Sequence, residues 1–212
     1  MKLLVTAGAT REPIDAVRFL SNVSTGRTGA ELAAALAARG HEVLLLRGTG
    51  AVAAPAGVDS QVFSSAGDLL DQLQGRLAGG DFAGVIMTAA VADYRPEISA
   101  AGKLDSAVPA RTLTLVRNPK ILPQLRGLSP RPLRVIGFKL TVGADATARL
   151  AAVRRQFDES RVDAVVHNDL EEINTAAAHP FRLFTAPEVL PQPLAGVPAL
   201  AAALDALLKP TS

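Results

Sequence analysis

A polar segment near the start of the chain carries the side chains whose types and spacing could do chemistry. Amide, hydroxyl and guanidinium groups alternate there with glycines, directly ahead of an Ala/Leu-rich stretch; the residues concerned are Gly8, Arg18, Asn22, Ser24, Thr25, Gly26 and Gly29. Backbone N–H groups at a helix N-terminus, aided by the helix dipole, can hold a phosphate group. Gly, Ser and Thr before a helix are also ordinary turn and cap residues, so these residues alone leave both interpretations open.

The elements around this segment should place it at a ligand-binding edge. Apolar residues 3–5 predict a buried strand, residues 31–40 a helix that ends at Gly40, and residues 42–47 a second apolar strand. Strand, loop, helix and strand in this order form a βαβ unit, whose connection puts the loop at the carboxyl edge of a parallel sheet. Open α/β sheets bind their ligands at that edge.

The rest of the chain continues the alternation of strands and helices. We expect further strands at 59–63, 82–90, 111–117, 133–140, 163–170 and 181–185, and helices at 66–77, 118–128, 145–159 and 195–209. Asn118 should cap the second of these helices, and the Pro-rich stretch 187–198 is interpreted as a connection inside one domain. The sequence therefore predicts a single domain over residues 1–212. Its expected fold is α/β and Rossmann-like, with three layers, a mostly parallel sheet flanked by helices, and small edge-strand or dimerisation elements.

Composition excludes several classes of function. The chain has no cysteine, which rules out disulfides, thiolate metal sites and cysteine nucleophiles. Net charge is +2 without a long basic run, so we expect no nucleic-acid partner. No apolar run reaches membrane-spanning length, so we expect a soluble cytoplasmic protein without a membrane partner. The three histidines lack metal-ligand spacing, so we assign no metal site to protein side chains.

Other nucleotide-binding motifs fit the sequence badly. The first loop is much longer than a dinucleotide fingerprint allows, and GRTG supplies only two glycines. The second strand ends in Arg47 where an acid would bind a ribose, although an arginine could meet a 2′-phosphate, which keeps an NADP-dependent oxidoreductase as an alternative. No Walker motif is present.

Five stretches of the sequence resemble a known family in their order and spacing. They are TAGATREPIDAVRFLSNVSTGRTG, AAVADYRP, VRNPKIL, IGFKL and HND. The resemblance that they carry covers roughly residues 2–170 and extends more weakly to the end of the sequence. In these stretches the chain is similar to the phosphopantothenoylcysteine synthetases, also called phosphopantothenate–cysteine ligases, of coenzyme A biosynthesis. In many bacteria this domain follows a flavin-dependent decarboxylase. The sequence shows no stretch of that kind, so we expect a stand-alone ligase and no flavin.

The resemblance implies a reaction in two steps. A carboxylate of 4′-phosphopantothenate is activated by a nucleoside triphosphate with Mg²⁺, and the amine of cysteine then displaces the nucleotide. CTP is the favoured nucleotide and ATP the alternative. The implied partners are these small molecules and a second copy of the chain, as a homodimer.

The resemblance also implies site residues. Asn22 and Lys103 are the implied catalytic residues, the first handling the acyl-nucleotide and the second the phosphates. The implied nucleotide-binding residues are Gly8, Ser24, Thr25, Gly26, Gly29, Ala89, Asp93, Lys103, Pro119, Lys120, Ile121, Leu122, Phe138 and Arg155. The implied residues for the acid substrate are Arg18, Asn22 and Ala90.

The chain departs from the family pattern on one helix. Where the family often carries phosphate-facing lysines, this chain has Gln156 and Ser160, with Arg154 and Arg155 nearby. The arginines could replace the lysines. The departure also keeps a non-catalytic nucleotide-binding descendant as a third hypothesis.

Overall fold

The chain folds around one eight-stranded sheet. The structure, a computed structural model, describes residues 1–209, so the last three residues of the predicted domain lie outside the described residues. The strands are β1 Lys2–Ala7, β2 Arg11–Pro13, β3 Phe19–Ser21, β4 Glu42–Gly48, β5 Asp59–Phe63, β6 Gly84–Met87, β7 Tyr94–Pro96, β8 Leu115–Arg117, β9 Arg134–Thr141, β10 Ala164–Asp169, β11 Pro180–Phe184 and β12 Gln192–Ala195. The helices are α1 Arg27–Ala37, α2 Ala66–Leu77, a 3-10 helix Leu122–Leu128, α3 Ala146–Ser160, α4 Leu170–Thr175 and α5 Gly196–Leu208.

The order of the strands fixes where a ligand can bind. The order across the sheet is β12-β11-β10-β9-β6-β1-β4-β5; the strands from β10 to β5 are parallel, and β11 and β12 add antiparallel pairs at one edge. After β1 the chain builds the sheet in one direction, through β4 and β5, and from β6 onward it builds in the other. The loops after β1 and β6 therefore diverge and leave a crevice between them at the carboxyl edge. The predicted Rossmann-like α/β fold is confirmed.

Helices cover both faces of the sheet. Leu32 and Leu36 of α1 pack with Leu200 and Leu204 of α5 on one face. On the other face, leucines of α2 form a second core with the 3-10 helix and with Val153 of α3. Spacing of three to four residues puts each apolar set on one side of its helix, which makes these three layers stable.

Two short antiparallel arms extend from the carboxyl edge. β2 pairs with β3, and β7 pairs with β8. Both arms lie inside segments that the sequence assigned to loops or to a longer strand, because three-residue strands are too short for a periodic signal. They expose large apolar side chains, including Phe19, Tyr94 and Leu115.

Several boundaries differ from the sequence prediction. The expected strand 111–117 is confined to β8, and the expected helix 118–128 is a 3-10 helix that begins only at Leu122. Asn118 does not cap it; its side chain is buried and donates to Ala92 O at 2.9 Å. Helix α1 begins at Arg27, four residues before the expected start, since Gly26 takes a left-handed conformation (φ 73°) that turns the loop directly into the helix.

The C-terminal third contains two elements that the sequence did not predict. Helix α4 follows β10 directly, with the Asp169 carboxylate accepting from Glu171 N at 3.0 Å at its start. Strand β12 lies inside the stretch that was expected to be only a connection. Its Pro193 is tolerated because β12 is at the edge of the sheet, where a missing N–H leaves no ladder partner unpaired.

Candidate active site

A crevice of ≈ 650 Å³ opens at the carboxyl edge, where the loops after β1, β6 and β9 meet. Most of the residues that the sequence singled out line it: Asn22, Ser24, Thr25, Gly26, Gly29, Ala89, Ala90, Asp93, Pro119, Lys120, Ile121, Leu122, Phe138 and Arg155. Segments that are almost 140 residues apart in sequence thus share one concave surface. Such a crevice is the usual place for a ligand in an open α/β sheet.

The N-terminus of α1 forms one wall of the crevice, and its glycines allow it to pack closely on β1 and the loop after it. Gly26 is the N-cap residue and has no side chain, and the one side-chain contact at this end is a long one from Arg27 N to Thr25 Oγ1, 3.4 Å. The other backbone N–H groups of the first turn are therefore free to face the crevice. A Cβ on Gly26 would lie 2.9 Å from Gly8 N, and one on Gly29 would lie 2.6 Å from Ala7 Cβ. The glycines therefore let the loop and helix pack directly on β1. The exposed amides and the helix dipole together can hold an anion.

Hydrogen bonds join the loop after β1 to the loop after β6. Thr10 N donates to Ala90 O at 3.3 Å, and Ala90 N donates to Gly8 O at 2.9 Å. Two fully buried threonine hydroxyls add to this: Thr6 accepts from Ala89 N at 3.1 Å, and Thr10 accepts from Ala92 N at 3.0 Å. The floor of the crevice is thus held by satisfied backbone groups, which makes it a rigid support.

Asn22 stands at the rim of the crevice with its side chain exposed. Its Nδ2 donates to Val91 O at 3.3 Å, so the amide bridges the first polar segment to the loop after β6. The hydroxyl of the preceding residue, Ser21, donates to Thr10 O at 2.7 Å and fixes the backbone there. The carboxamide keeps a second N–H and an oxygen with which to contact a ligand.

Asp93 and Lys120 face each other across the crevice mouth. Lys120 Nζ lies 2.5 Å from Asp93 Oδ1, and both side chains are largely exposed, 70% and 65%. Below them the backbone is held, because Asn118 N donates to Asp93 O at 2.9 Å. An exposed pair of this kind is worth at most about 1 kcal/mol, so either partner can turn to a ligand at little cost.

Arg18 and Lys103 do not line the crevice; they lie beside one another near the first arm. The buried Asp15 organises this region: it accepts from Arg18 N at 2.7 Å, from Arg18 Nη1 at 3.0 Å and from Leu104 N at 3.0 Å. Burial raises the pKa of the Asp15 carboxyl, but the hydrogen bonds from Val17, Leu104 and Arg18 outweigh it, so that pKa is lowered. Asp15 thus stays charged and holds the backbone next to Lys103 against the loop of Arg18. Gly8 also lies just behind the lining residues, under Gly26.

The segment 119–123 and helix α3 both contribute to the lining of the crevice, the first through Ile121 and Leu122 and the second through Ala152 and Gln156. Phe138 lines it beside them, and Gln156 Nε2 donates to Phe138 O at 3.2 Å. A flat group with apolar faces, such as a nucleobase, suits this part of the lining.

The sequence missed several residues that line the crevice. Arg27 and Thr28 lie on the first turn of α1, and Lys139 and Asn168 lie near the carboxyl ends of the neighbouring strands β9 and β10. Arg27 and Thr28 stand inside a motif already singled out, and Asn168 belongs to the HND motif, so their positions after a strand or before a helix could have indicated them.

Asn168 connects the crevice to a half-buried histidine, His179. Its Nδ2 lies 2.9 Å from His179 Nε2, and the imidazole stacks on Phe181 with ring centroids 4.1 Å apart. Burial lowers the pKa of His179, partly opposed by the charge of Glu31, so the ring is neutral near pH 7 and its bare nitrogen accepts from the amide. The Asn168 oxygen is left to face other partners.

Within residues 1–209 no group of three or more His, Cys, Asp or Glu side chains could hold a metal ion. A divalent cation in this crevice would therefore rely on ligand phosphates, as Mg²⁺ commonly does in nucleotide sites. None of the helices in the same residues is long and apolar enough to cross a bilayer.

The segment 49–52, just after β4, packs closely on the loop after β1 and on the start of α1. Val52 N donates to Thr25 O at 2.9 Å, and the Ala51 methyl packs so closely that a Cβ on Gly8 would lie 2.6 Å from it. In a dinucleotide-binding Rossmann domain the ribose lies at the end of the strand corresponding to β4, beside this position. This packing opposes the NADP alternative.

The fold and the crevice define a Rossmann-like α/β domain with an anion cradle at its switch point. A sequence profile of the DNA/pantothenate metabolism flavoprotein C-terminal domain family matches residues 1–184. The chain belongs to that family, and the resemblance indicated by its motifs is confirmed at the level of the family.

Relatives and solved structures agree with this assignment. The coenzyme A biosynthesis bifunctional protein CoaBC of Thermococcus kodakarensis is 34% identical over 171 residues, which cover 80% of this chain and 41% of that protein. CoaBC of Mycobacterium bovis is 36% identical over 178 residues, covering 81% and 42%. The chain thus spans about two fifths of these curated relatives.

Among solved structures, the DNA/pantothenate metabolism flavoprotein of Streptococcus pneumoniae superposes with a TM-score of 0.86 at 26% identity and covers 98% of both chains. The C-terminal domain of a CoaBC protein superposes with a TM-score of 0.77 at 28% identity, over 98% of this chain and 93% of that one.

Proposed function

We propose that the protein is a phosphopantothenate–cysteine ligase of coenzyme A biosynthesis. The observation that carries this proposal is the single crevice in which the uncapped N-terminus of α1, the amide of Asn22 and the Asp93–Lys120 pair come together. That arrangement can hold a triphosphate and an acyl group side by side. The curated relatives are coenzyme A biosynthesis proteins, which supports the choice of pathway.

In the first step a carboxylate oxygen of 4′-phosphopantothenate attacks the α-phosphorus of the nucleoside triphosphate. The bond to the β-phosphate oxygen breaks, pyrophosphate leaves, and an acyl-nucleotide forms. Negative charge accumulates on the phosphoryl oxygens. The N–H groups at α1 and the cations Lys120 and Arg155 line the crevice and would offset this charge. We assign the same role to Lys103, although it lies outside the crevice. Arg18 offers a guanidinium fork for the anionic substrate beside it.

In the second step the amine of cysteine attacks the activated carbonyl carbon. The bond to the nucleotide oxygen breaks, the nucleoside monophosphate leaves, and the amine proton is released to solvent. We assign to Asn22, whose Nδ2 donates to Val91 O in the free protein, the donation of an N–H to the acyl oxygen as charge develops on it. A neutral amide can do this without protonating the amine. Ala89 and Ala90, with their small side chains, allow the backbone to approach the ligand.

Mg²⁺ would be held by the triphosphate, and Asp93 and Glu159 are the carboxylates that line the crevice. Its chemistry when bound is to neutralise phosphate charge. We favour CTP as the nucleotide, with ATP as the alternative. Substrates of this kind place the enzyme in the cytoplasm.

We also propose a homodimer. Apolar side chains stand exposed together on the two arms and the loop that follows β7: Phe19, Tyr94, Ile98, Leu113 and Leu115. Five large apolar groups close to one crevice form a patch of the kind that proteins cover on association. A sedimentation measurement showing a monomer at micromolar concentration would refute the dimer and leave the ligase proposal standing.

The activity is tested by pyrophosphate release with phosphopantothenate, Mg²⁺ and either CTP or ATP, with and without cysteine. We expect release that requires phosphopantothenate, and amide product only when cysteine is added. Folded protein that releases no pyrophosphate with either nucleotide would refute the ligase and favour a binding-only protein.

Asn22→Ala tests the role of the amide in the second step. We expect pyrophosphate release to continue for one turnover while amide formation slows by about 100-fold, the usual cost of removing one such donor. Acyl-nucleotide should then accumulate and be visible after acid quenching and chromatography. Amide formation at the normal rate would exclude this role.

Lys103→Gln tests the phosphate role of a residue that lies outside the crevice. We expect slower pyrophosphate release without accumulation of the intermediate, since the loss falls on the first step. Lys139→Gln is a matched comparison, because Lys139 lines the crevice directly. If only Lys139→Gln slows the first step, the phosphate role belongs to Lys139 and not to Lys103.

A further inference from the structure

The carboxylate of Glu12 is buried away from the crevice and serves none of the steps described above. Glu12 lies in the middle of β2 and is only 2% exposed. Its Oε1 accepts from the backbone N–H of Ala66, the first residue of α2, at 2.9 Å. An N–H group at a helix N-terminus, together with the helix dipole, offsets a buried negative charge. Glu12 therefore joins the arm of β2 and β3, here called the first arm, to the start of α2.

The first arm has little stability of its own. Its two strands have three residues each and pair with one another outside the eight-stranded sheet. A two-stranded hairpin alone is marginally stable in water. At the tip of the arm, Ile14 O accepts from Ala100 N at 3.0 Å, but residue 100 lies outside the helices and strands. At the base, Arg11 N donates to Ser64 O at 2.8 Å and Glu12 contacts α2. The base is therefore the part that is held against a helix of the core.

The base of the first arm also sets the position of Asn22. Arg11 in β2 is paired with Ser21 in β3, and Asn22 follows Ser21 directly in the chain. One strand pair and one peptide bond thus connect the anchored strand to the amide at the crevice rim. The side chain of Asn22 is exposed, and its hydrogen bond to Val91 O is long, 3.3 Å. Its own contacts hold it weakly, so its position depends on the arm.

We propose that Glu12 is a positioning residue for amide formation: it anchors the first arm to α2 and so holds Asn22 at the rim of the crevice. The inference rests on the proposed function in taking Asn22 as the donor to the acyl oxygen. A misplacement of about 1 Å caused by a change far from the chemistry can slow a reaction about 100-fold. Pyrophosphate release should depend less on Glu12, because the arm carries neither the N-terminus of α1 nor Lys120.

Two variants of Glu12 and one control test this role. Glu12→Ala removes the carboxylate, whereas Glu12→Gln keeps an oxygen at the same distance along the side chain that can accept from Ala66 N. Ser65→Ala is the matched control. It removes the side-chain cap of the same helix, where Ser65 Oγ accepts from Asp68 N at 3.2 Å, and leaves the carboxylate of Glu12 in place.

The rates of pyrophosphate release and of amide formation are measured in a single turnover with phosphopantothenate, Mg²⁺, cysteine and the nucleotide that supports turnover. We expect Glu12→Ala to slow amide formation about tenfold, less than loss of the donor itself, and to leave pyrophosphate release within about twofold of the wild type. Acyl-nucleotide should accumulate. Glu12→Gln and Ser65→Ala should keep the wild-type ratio of the two rates. Equal slowing of both steps by Glu12→Ala would overturn the inference.

A double variant separates positioning from a general loss of packing. If Glu12 acts through Asn22, then Glu12→Ala should slow amide formation by no more than about twofold when Asn22→Ala is already present, because the group that it positions is gone. A general structural defect would slow amide formation by the same factor in both backgrounds. That result would also overturn the inference.

Hydrogen–deuterium exchange tests the anchor without any turnover. In Glu12→Ala the backbone amides of residues 11–21 should exchange about tenfold faster than in the wild type, the factor that loss of one buried hydrogen bond produces. In Ser65→Ala their exchange should match the wild type. Unchanged exchange in Glu12→Ala would overturn the inference even in an active ligase. If the wild-type protein forms no amide, the proposed function is refuted, and faster exchange in Glu12→Ala would still establish Glu12 as the anchor of the first arm.

Discussion

Two glycine-to-alanine substitutions, both within helices, should change stability in opposite directions. Gly29 lies in the first turn of α1 against β1, and Gly75 lies on the exposed side of α2. A Cβ on Gly29 would meet Ala7 Cβ at 2.6 Å, Thr6 O at 3.0 Å and the hydroxyl of Thr88. A Cβ on Gly75 would meet nothing within 4 Å.

The magnitudes follow from these contacts. Non-bonded carbon atoms sit about 3.5–4.0 Å apart, so Gly29→Ala must open the α1–β1 contact by roughly 1 Å. Ala7 is fully buried and Thr6 O belongs to the central strand, so neither can move away alone. Overpacking of this kind costs about 1–3 kcal/mol, and we expect a net loss of about 2 kcal/mol. Gly75→Ala only gains helix propensity, about 0.5–1 kcal/mol.

Urea unfolding followed by circular dichroism measures both changes. For a chain of this length the loss at Gly29 corresponds to a melting temperature lower by about 4–8 °C, and the gain at Gly75 to one higher by about 1–4 °C. Equal slopes with denaturant would show that both variants unfold from the same compact state. If Gly29→Ala were as stable as Gly75→Ala, the close packing of α1 on β1 would not hold and the anion cradle would lose its structural basis.

Two further predictions concern buried polar groups. Asn118→Ala leaves Ala92 O without its donor and should lower the free energy of unfolding by about 1–3 kcal/mol, which the same urea unfolding measures. It should also weaken nucleotide binding, because the segment that follows Asn118 is no longer held in place. Unchanged values in both assays would contradict this prediction. Burial, aided by the cations Arg149 and Arg182, lowers the pKa of His167 to about 4 in the folded protein. In the unfolded chain this histidine has its ordinary pKa of about 6.5, so it binds a proton there at a pH at which the folded protein still keeps it neutral. Stability should therefore decline by about 2 kcal/mol from pH 6.5 to 4, and His167→Gln should flatten this decline; an equally steep decline in the variant would contradict the assignment.

The parallel sheet was predictable because its signals are local. Each strand of the βαβ unit is a short apolar run, and α1 carries leucines at helical spacing, so periodicity alone located them. The arms were not predictable in this way. β7 and β8 gain stability from pairing across about twenty residues, and neither is long enough to show alternation.

The residues of the candidate site differ in the same way: some are indicated by local sequence, and others depend on contacts between distant segments. Glycines and hydroxyls before a helix indicated the cradle, since a helix N-terminus at a strand's carboxyl end is a local property of the sequence. The placement of Lys103 was not available locally. It depends on the hydrogen bond between Leu104 N and Asp15, which are 89 residues apart, and nothing near Lys103 in the sequence points to that carboxylate.

The crevice has a buried, fully hydrogen-bonded support and an exposed rim. This contrast fits a reaction in which a polyanionic ligand binds and a product later leaves. The support uses buried hydroxyls and backbone groups, such as Thr6 and Thr10, whose loss would leave unpaired polar atoms. The rim uses exposed contacts: the Asp93–Lys120 pair and the 3.3 Å hydrogen bond of Asn22. Opening an exposed ion pair costs at most about 1 kcal/mol, whereas leaving a buried hydrogen-bonding group of the support unpaired costs about 1–3 kcal/mol. A polyanion can therefore displace Asp93 from Lys120, and the pair can form again when pyrophosphate leaves, without the support having to move.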